Sequence, residues 1–348
     1  MHLNNLWFFI IAVFWVGFFV LEGFDFGVGM LHAFVSRSDV ERRITVNSIG
    51  PHWDGNEVWL IVAGAAMFAA FPAWYATTFS TFYLVLVVVL LALMVRGVSF
   101  EYNRKIDNPR WRTLWRWSLT LGSLLIPLLL GTAFGDMLHG LAINQSHNYT
   151  GTFLQLLQPF ALYTGLTVTV IALLLGAAFL SLKTTGDLNE RVTRLAGRLG
   201  WLAAGVTIGF VVWSHATLGG GFVPNPLDAL AVLSVIAAAW AAEAGYQGWT
   251  FAAASLGMAG VMGSLLFDLA PRVFVSSTNT ADNLTIANSA AGSYSLQVMT
   301  VVAAVFFPLV LAYQGWTFHV FRARLQSPPD TATSEGDETT PRPAPVET

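Results

Sequence analysis

Apolar residues along this chain come in long blocks rather than in strict alternation. The blocks run roughly over Leu6–Leu31, Ile49–Ala70, Phe79–Val98, Trp117–Leu138, Pro159–Leu180, Gly200–Leu218, Leu227–Tyr246, Gly248–Leu269 and Tyr294–Phe318. A helix rises ~1.5 Å per residue, so roughly 20 such residues cross the ~30 Å hydrocarbon layer of a bilayer. The pattern predicts an all-α integral membrane protein with about nine transmembrane helices. The two blocks that meet at Gln247 could also form one re-entrant unit, which would change the count and not the class.

Composition supports lipid as the solvent. Of 348 residues, 55% are hydrophobic and 11% charged, whereas a soluble domain carries about 25% charged residues. The net charge of −3 and the lack of a basic tract argue against nucleic acid as a partner. Cysteine is absent, which excludes disulfides, thiolate metal sites, iron–sulfur clusters and cysteine nucleophiles. The first five residues hold no Lys or Arg, and Glu22 and Asp25 stand where a small-residue cleavage site would be expected. The first block therefore reads as a retained span and not as a signal peptide.

Basic residues set the expected orientation. With nine spans and the N-terminus outside, the inner segments hold Arg37, Arg42 and Arg43; Arg96, Arg104, Lys105, Arg110, Arg112 and Arg116; Lys183, Arg191, Arg194 and Arg198; and Arg322, Arg324 and Arg342. That is 16 of the 17 Lys and Arg residues, as the positive-inside rule requires. The remaining cation, Arg272, follows Asp268 by four residues and is expected to pair with it. Residues 1–325 read as one polytopic membrane domain. Residues 326–348, rich in Pro, Thr, Asp and Glu, read as a disordered cytoplasmic tail. Gly23/Gly27 and Gly131/Gly135 have the spacing of close helix packing.

Four acids change the picture. The uninterrupted apolar part of the second block, Val58 to Phe71, is 14 residues, or about 21 Å of helix. Roughly six further residues must enter the hydrocarbon layer, which submerges Trp53, Asp54 and Glu57. The first block does the same with Glu22 and Asp25. Each pair is spaced i, i+3 and shares a helix face. A charge at the bilayer centre costs at least ~2.5–3.5 kcal/mol. Three readings compete: hydration near the interface, hydrogen bonding between helices, and a proton path opening to the cytoplasm. Glu243 is expected at the inner surface, and Asp136 and His139 at the outer interface. His32, His52, His215 and His319 form no recognisable ligand cluster in sequence and read as interfacial.

Several segments carry a resemblance. They are Gly23-Phe24-Asp25-Phe26-Gly27-Val28-Gly29-Met30-Leu31, Glu41-Arg42-Arg43, the run from Asn47 through Pro51-His52-Trp53-Asp54-Gly55-Asn56-Glu57 to Leu60, and Met67-Phe68-Ala69-Ala70-Phe71-Pro72. Arg96-Gly97-Val98-Ser99-Phe100-Glu101-Tyr102 and Leu296-Gln297-Val298-Met299-Thr300 complete the set. Together they resemble subunit II of cytochrome bd-type quinol oxidases. The likeness runs from Trp7 to Arg324, strongest through Tyr102 and weakest between Gly200 and Phe267.

The resemblance implies two four-helix bundles with a peripheral ninth helix, in a bacterial cytoplasmic membrane. It implies a haem-bearing subunit I as partner, with haems b and d in that partner and none held tightly by this chain. Further small subunits are allowed, and so is a bound quinone in an apolar pocket. It implies a proton route through Asp25 and Asp54, with Glu22 and Glu57 in support. Trp53, with Asn56 and Trp59 on the same helix, takes subunit-interface or structural positions. Relatives carry an acid at the position of Glu22, but some have Gln where this chain has Glu57, so an ionisable Glu57 is not a fixed requirement. The expected function is subunit II of a quinol:oxygen oxidoreductase that makes water. The alternatives are a purely structural scaffold and a proton-coupled secondary transporter.

Overall fold

The computed structural model describes residues 3–103, 105–218 and 224–325. The tail expected to be disordered, 326–348, lies outside the described residues, as does Arg104. The order of elements is α1 (Leu3–Val35), α2 (Asp39–Ile49), α3 (Trp53–Ala70), α4 (Pro72–Thr81), α5 (Tyr83–Tyr102), α6 (Pro109–His139), α7 (Pro159–Lys183), α8 (Gly186–Leu218), α9 (Pro226–Glu243) and α10 (Gln247–Leu269). A short antiparallel pair follows, β1 (Arg272–Phe274) with β2 (Leu284–Thr285), and then α11 (Ser293–Val320).

Eight of these helices are long and apolar enough to cross a bilayer: α1 and α5 through α11. The expected second span is α3. Its 18 residues cover about 27 Å, and its first turns carry Asp54, Asn56 and Glu57, which dilute its hydropathy. Pro72 ends it: proline has no N–H to continue the ladder but suits the first turn of the next helix, α4. At Gln247 the chain makes a tight turn through Gly245, at φ +80°, where Tyr246 N–H donates to Ala241 C=O at 2.8 Å. The blocks on either side are therefore two full helices and not a re-entrant unit.

The helices α1, α3, α5 and α6 form one bundle and α7 through α10 a second, joined where α1 and α6 both pack on α7. At the α1–α7 crossing a Cβ on Gly27 would lie 2.0 Å from the Ala172 carbonyl oxygen. At the α6–α7 crossing a Cβ on Gly131 would lie 2.9 Å from the Gly165 Cα. The glycine spacing seen in the sequence is thus a packing device, and α7 answers it with Gly165 and Gly176, which the sequence pattern did not single out.

At one end of the bundles the α6–α7 and α10–α11 connections interlock: Leu141 N–H donates to Val275 C=O at 3.1 Å, and Thr278 Oγ1 donates to Ile143 C=O at 2.9 Å. The helix α11 is peripheral. It packs on α1 and α3, and among its residues only Leu296 and Thr317 are buried.

Candidate functional site

Four helices converge on a buried polar cluster. From α1 come Glu22 and Asp25, both fully buried. From α5 comes Arg96, also with no exposed surface, whose Nη1 lies 2.5 Å from Glu22 Oε1 and 3.3 Å from Glu57 Oε2. The Arg96 guanidinium also sits 5.0 Å from the Phe26 ring centroid and 5.7 Å from that of Phe100, where the ring faces attract a cation. From α3 come Glu57 and Asn56. The Asn56 amide donates to Asp25 Oδ2 at 2.7 Å and to the Leu21 carbonyl at 3.1 Å, and its oxygen accepts from Gln314 Nε2 of α11 at 2.7 Å. One asparagine therefore ties three helices together. Asp25 Oδ1, and Nε and Nη2 of Arg96, have no hydrogen-bond partner within the described residues.

Three of the four predicted acids are brought together: Glu22, Asp25 and Glu57. Asp54 is not part of the buried group. It is exposed on the first turn of α3, one turn before Glu57. Trp53 is half-buried and stacks on Phe100, with ring centroids 4.8 Å apart. Trp59 is buried within the chain, edge-on to Phe14 and Phe307.

Arg96 corrects the sequence reading, which placed it among inner-loop cations. It lies inside α5, more than a turn before the helix ends. The available signal was a lone arginine at the end of the apolar run Leu84–Val95. Gln314, in the last quarter of the apolar helix α11, gave no local signal.

Other expectations also change. Asp136 is fully buried and not interfacial, and neither of its carboxylate oxygens has a partner within the described residues. The histidines His32, His52 and His215 are buried too. His32 Nδ1 bonds the Gly29 carbonyl at 2.8 Å, His52 stacks on Phe318, and His215 Nε2 lies 2.9 Å from Asp228 Oδ2. Arg272 does not pair with the Asp268 carboxylate. It donates to the Asp268 backbone carbonyl at 3.3 Å, while that carboxylate accepts from Asn225. Glu243 is exposed, as expected, and accepts from Trp201 Nε1 at 2.7 Å. Among the described residues no group of three or more His, Asp or Glu is placed to hold a metal ion.

An apolar groove of about 560 Å³ opens between α3 and α5, floored by α6 residues such as Leu130 and Phe134 and closed at one end by Trp74 and Phe79 of α4.

Two helical bundles with acids buried around one arginine define a polytopic membrane protein, and comparison with known proteins makes the class specific. The family described as cytochrome bd terminal oxidase subunit II matches residues 3–321, and this chain belongs to that family. It is 40% identical over 327 residues to the cytochrome bd ubiquinol oxidase subunit 2 of Bacillus subtilis, covering 93% of this chain and 97% of that one. It is 37% identical to the cytochrome bd-I ubiquinol oxidase subunit 2 of Escherichia coli strain K12, over 91% and 93% of the two chains. Its fold matches a chain of the bd oxidase structure from Geobacillus thermodenitrificans with a TM-score of 0.73, at 16% identity, over 92% of this chain and 99% of that one. The chain is thus a multi-pass subunit of an oxidase complex, and the independent transporter reading falls away.

Proposed function

We propose that this chain is the haem-free subunit of a membrane quinol:oxygen oxidoreductase and that it carries a proton route from the cytoplasm toward haems b and d of subunit I. The named activity of its relatives, ubiquinol oxidation, supports the reaction. Each quinol gives up two electrons and two protons, and each O₂ takes four electrons and four protons to become two waters. If the oxygen-side protons enter from the cytoplasm and the quinol protons leave outside, a protonmotive force results without a pump. The distribution of Lys and Arg supports an outside N-terminus and a cytoplasmic C-terminus.

The observation that carries the route is a gradient of burial along one line of acids. Asp54 is exposed, Glu57 is 24% exposed, and Glu22 and Asp25 are fully buried. Arg96 bridges Glu57 to Glu22. Glu22 and Glu57 share one guanidinium, and Asp25 lies one helical turn from Glu22, in a low-dielectric setting where an unpaired charge costs several kcal/mol. Asp25 Oδ1, with no hydrogen-bond partner within the described residues, is an acceptor open to a passing proton. In this scheme Asp54 is the mouth, Glu57 lies one turn deeper along α3, and Glu22 and Asp25 are the buried stations on α1. Trp53 and its stacking partner Phe100 flank the entrance, where the partner subunit would approach. The apolar groove between α3 and α5 suits an isoprenoid chain, so a quinone bound there would lie against Leu60, Phe68 and Leu90.

Asp54→Asn tests the route in oxidase that assembles with all its haems. Oxygen consumption and proton uptake should both fall. If neither changes, Asp54 is not on the path. The scaffold reading has its own support in the three-helix bridge at Asn56. It predicts that the acid variants lose haem content rather than turnover.

A further inference from the structure

A second polar site lies away from the acid cluster, where the ends of α1 and α5 meet α2 and the start of α6. It is a cavity of about 620 Å³ lined by Arg42, Arg43, Arg112, Arg116, Asp39 and Asp107, with His32 among the lining residues. The two aspartates are already engaged. Arg42 pairs with Asp39, and Arg112 Nη2 lies 2.7 Å from Asp107. Among the described residues neither Arg43 nor Arg116 has a carboxylate within 4 Å. The site therefore keeps an excess of two positive charges.

Its buried nitrogens are also unserved. Arg42 Nε, Arg116 Nε and His32 Nε2 are shielded and have no hydrogen-bond partner within the described residues. His32 is 2% exposed; its Nδ1–H donates to the Gly29 carbonyl, so its Nε2 is a lone-pair acceptor that lines the floor without itself attracting an anion. The Nε–H groups of Arg42 and Arg116 are buried donors without partners, and they carry a desolvation cost that an anion of the right shape would relieve.

We propose that this cavity binds the phosphate of an anionic glycerophospholipid from the surrounding membrane. A free phosphate offers the same oxygens, but the rim favours a lipid. Ile106 lines the cavity, and Phe34, Leu114 and Trp117, each within two residues of a lining residue, are exposed, with the Phe34 and Trp117 rings 5.9 Å apart edge to face. A basic pocket with an apolar ledge, at the ends of membrane-spanning helices, fits a headgroup above and acyl chains below. Arg43 and Arg116 hold the phosphate, and His32 closes the floor. This inference uses only the multi-pass membrane architecture and is independent of the proton route.

The test uses the assembled oxidase, delipidated and placed in nanodiscs of phosphatidylcholine with increasing phosphatidylglycerol. Native mass spectrometry counts the lipid retained per complex. The intact protein should keep one phosphatidylglycerol. Arg43→Gln with Arg116→Gln should weaken that retention about 25-fold, at roughly fivefold per arginine. The Arg43→Lys, Arg116→Lys pair keeps the charge and should retain most of the binding. If the glutamine pair does not assemble, the two single glutamine variants carry the test at about fivefold each. Equal retention in intact and glutamine forms overturns the proposal. So does release of the bound lipid by millimolar inorganic phosphate, or binding of phosphate with no lipid retained, since either makes free phosphate the ligand.

Discussion

Replacing Arg96 with Met is the most informative single perturbation. The side chain is fully buried, sits 2.5 Å from Glu22 and 3.3 Å from Glu57, and is sandwiched near Phe26 and Phe100. Methionine fills a similar volume, so packing loss is small. The main effect is that Glu22 and Glu57 lose their cation. Removing one partner of a buried ion pair costs about 3–5 kcal/mol, whereas replacing both partners with apolar groups is often neutral. Arg96→Met should therefore lower the midpoint of unfolding sharply, read as loss of assembled complex against rising denaturant. Arg96→Met with Glu22→Met should recover most of that loss. Arg96→Lys keeps the charge but loses the planar guanidinium that lies near the Phe26 and Phe100 rings, and should fall between. If Arg96→Met costs under about 1 kcal/mol, or the double variant is no better than the single, then the ion pair does not organise the cluster.

Further outcomes follow from other contacts. In assembled oxidase Asp25→Asn should reduce oxygen consumption at least tenfold with haem content unchanged, checked by oxygen electrode and absorption spectrum. Gly176→Ala places a methyl 2.2 Å from the Gly27 carbonyl carbon and should cost about 1–3 kcal/mol or block assembly. Gly205→Ala, with nothing within 4 Å, should be neutral or slightly stabilising in the same denaturation assay. Glu41, on α2 outside the spans, is pushed up by partial burial, but the Arg37 N–H at 2.6 Å and Arg191 at 2.6 Å outweigh this and hold its pKa below the ordinary 4.5. Its folded value is depressed, so its stabilisation is full above pH 4.5 and fades as pH falls below that value. Glu41→Gln should flatten the acid limb of a stability-versus-pH curve.

Much of the architecture was legible because lipid imposes a simple rule: apolar blocks of sufficient length become helices. The short second block also forecast that Trp53, Asp54 and Glu57 belong to a helix, and α3 begins at Trp53. What hydropathy could not show was partnership across helices. Arg96 looks like a loop cation until α5 extends to Tyr102 and α1 brings Glu22 beside it. Asn56 and Gln314 are 258 residues apart, and no local pattern links them. The buried histidines were misplaced for the same reason. Residues near span ends look interfacial in sequence, yet His52 is covered by Phe318 of α11 and His215 meets Asp228 of α9.

The outlying α11 has a consequence for biogenesis. Its ties run down a single stripe: Trp7 Nε1 to Leu296 C=O and Thr300 Oγ1, Phe14 to Phe307, Asn56 to Gln314, and His52 to Phe318. Those seats, with Trp59 edge-on to Phe307, lie within the first 59 residues, while the stripe itself is synthesised only after both bundles. The last stave thus docks onto the first, and a chain that ends before residue 293 leaves the Asn56 side-chain oxygen without its Gln314 donor.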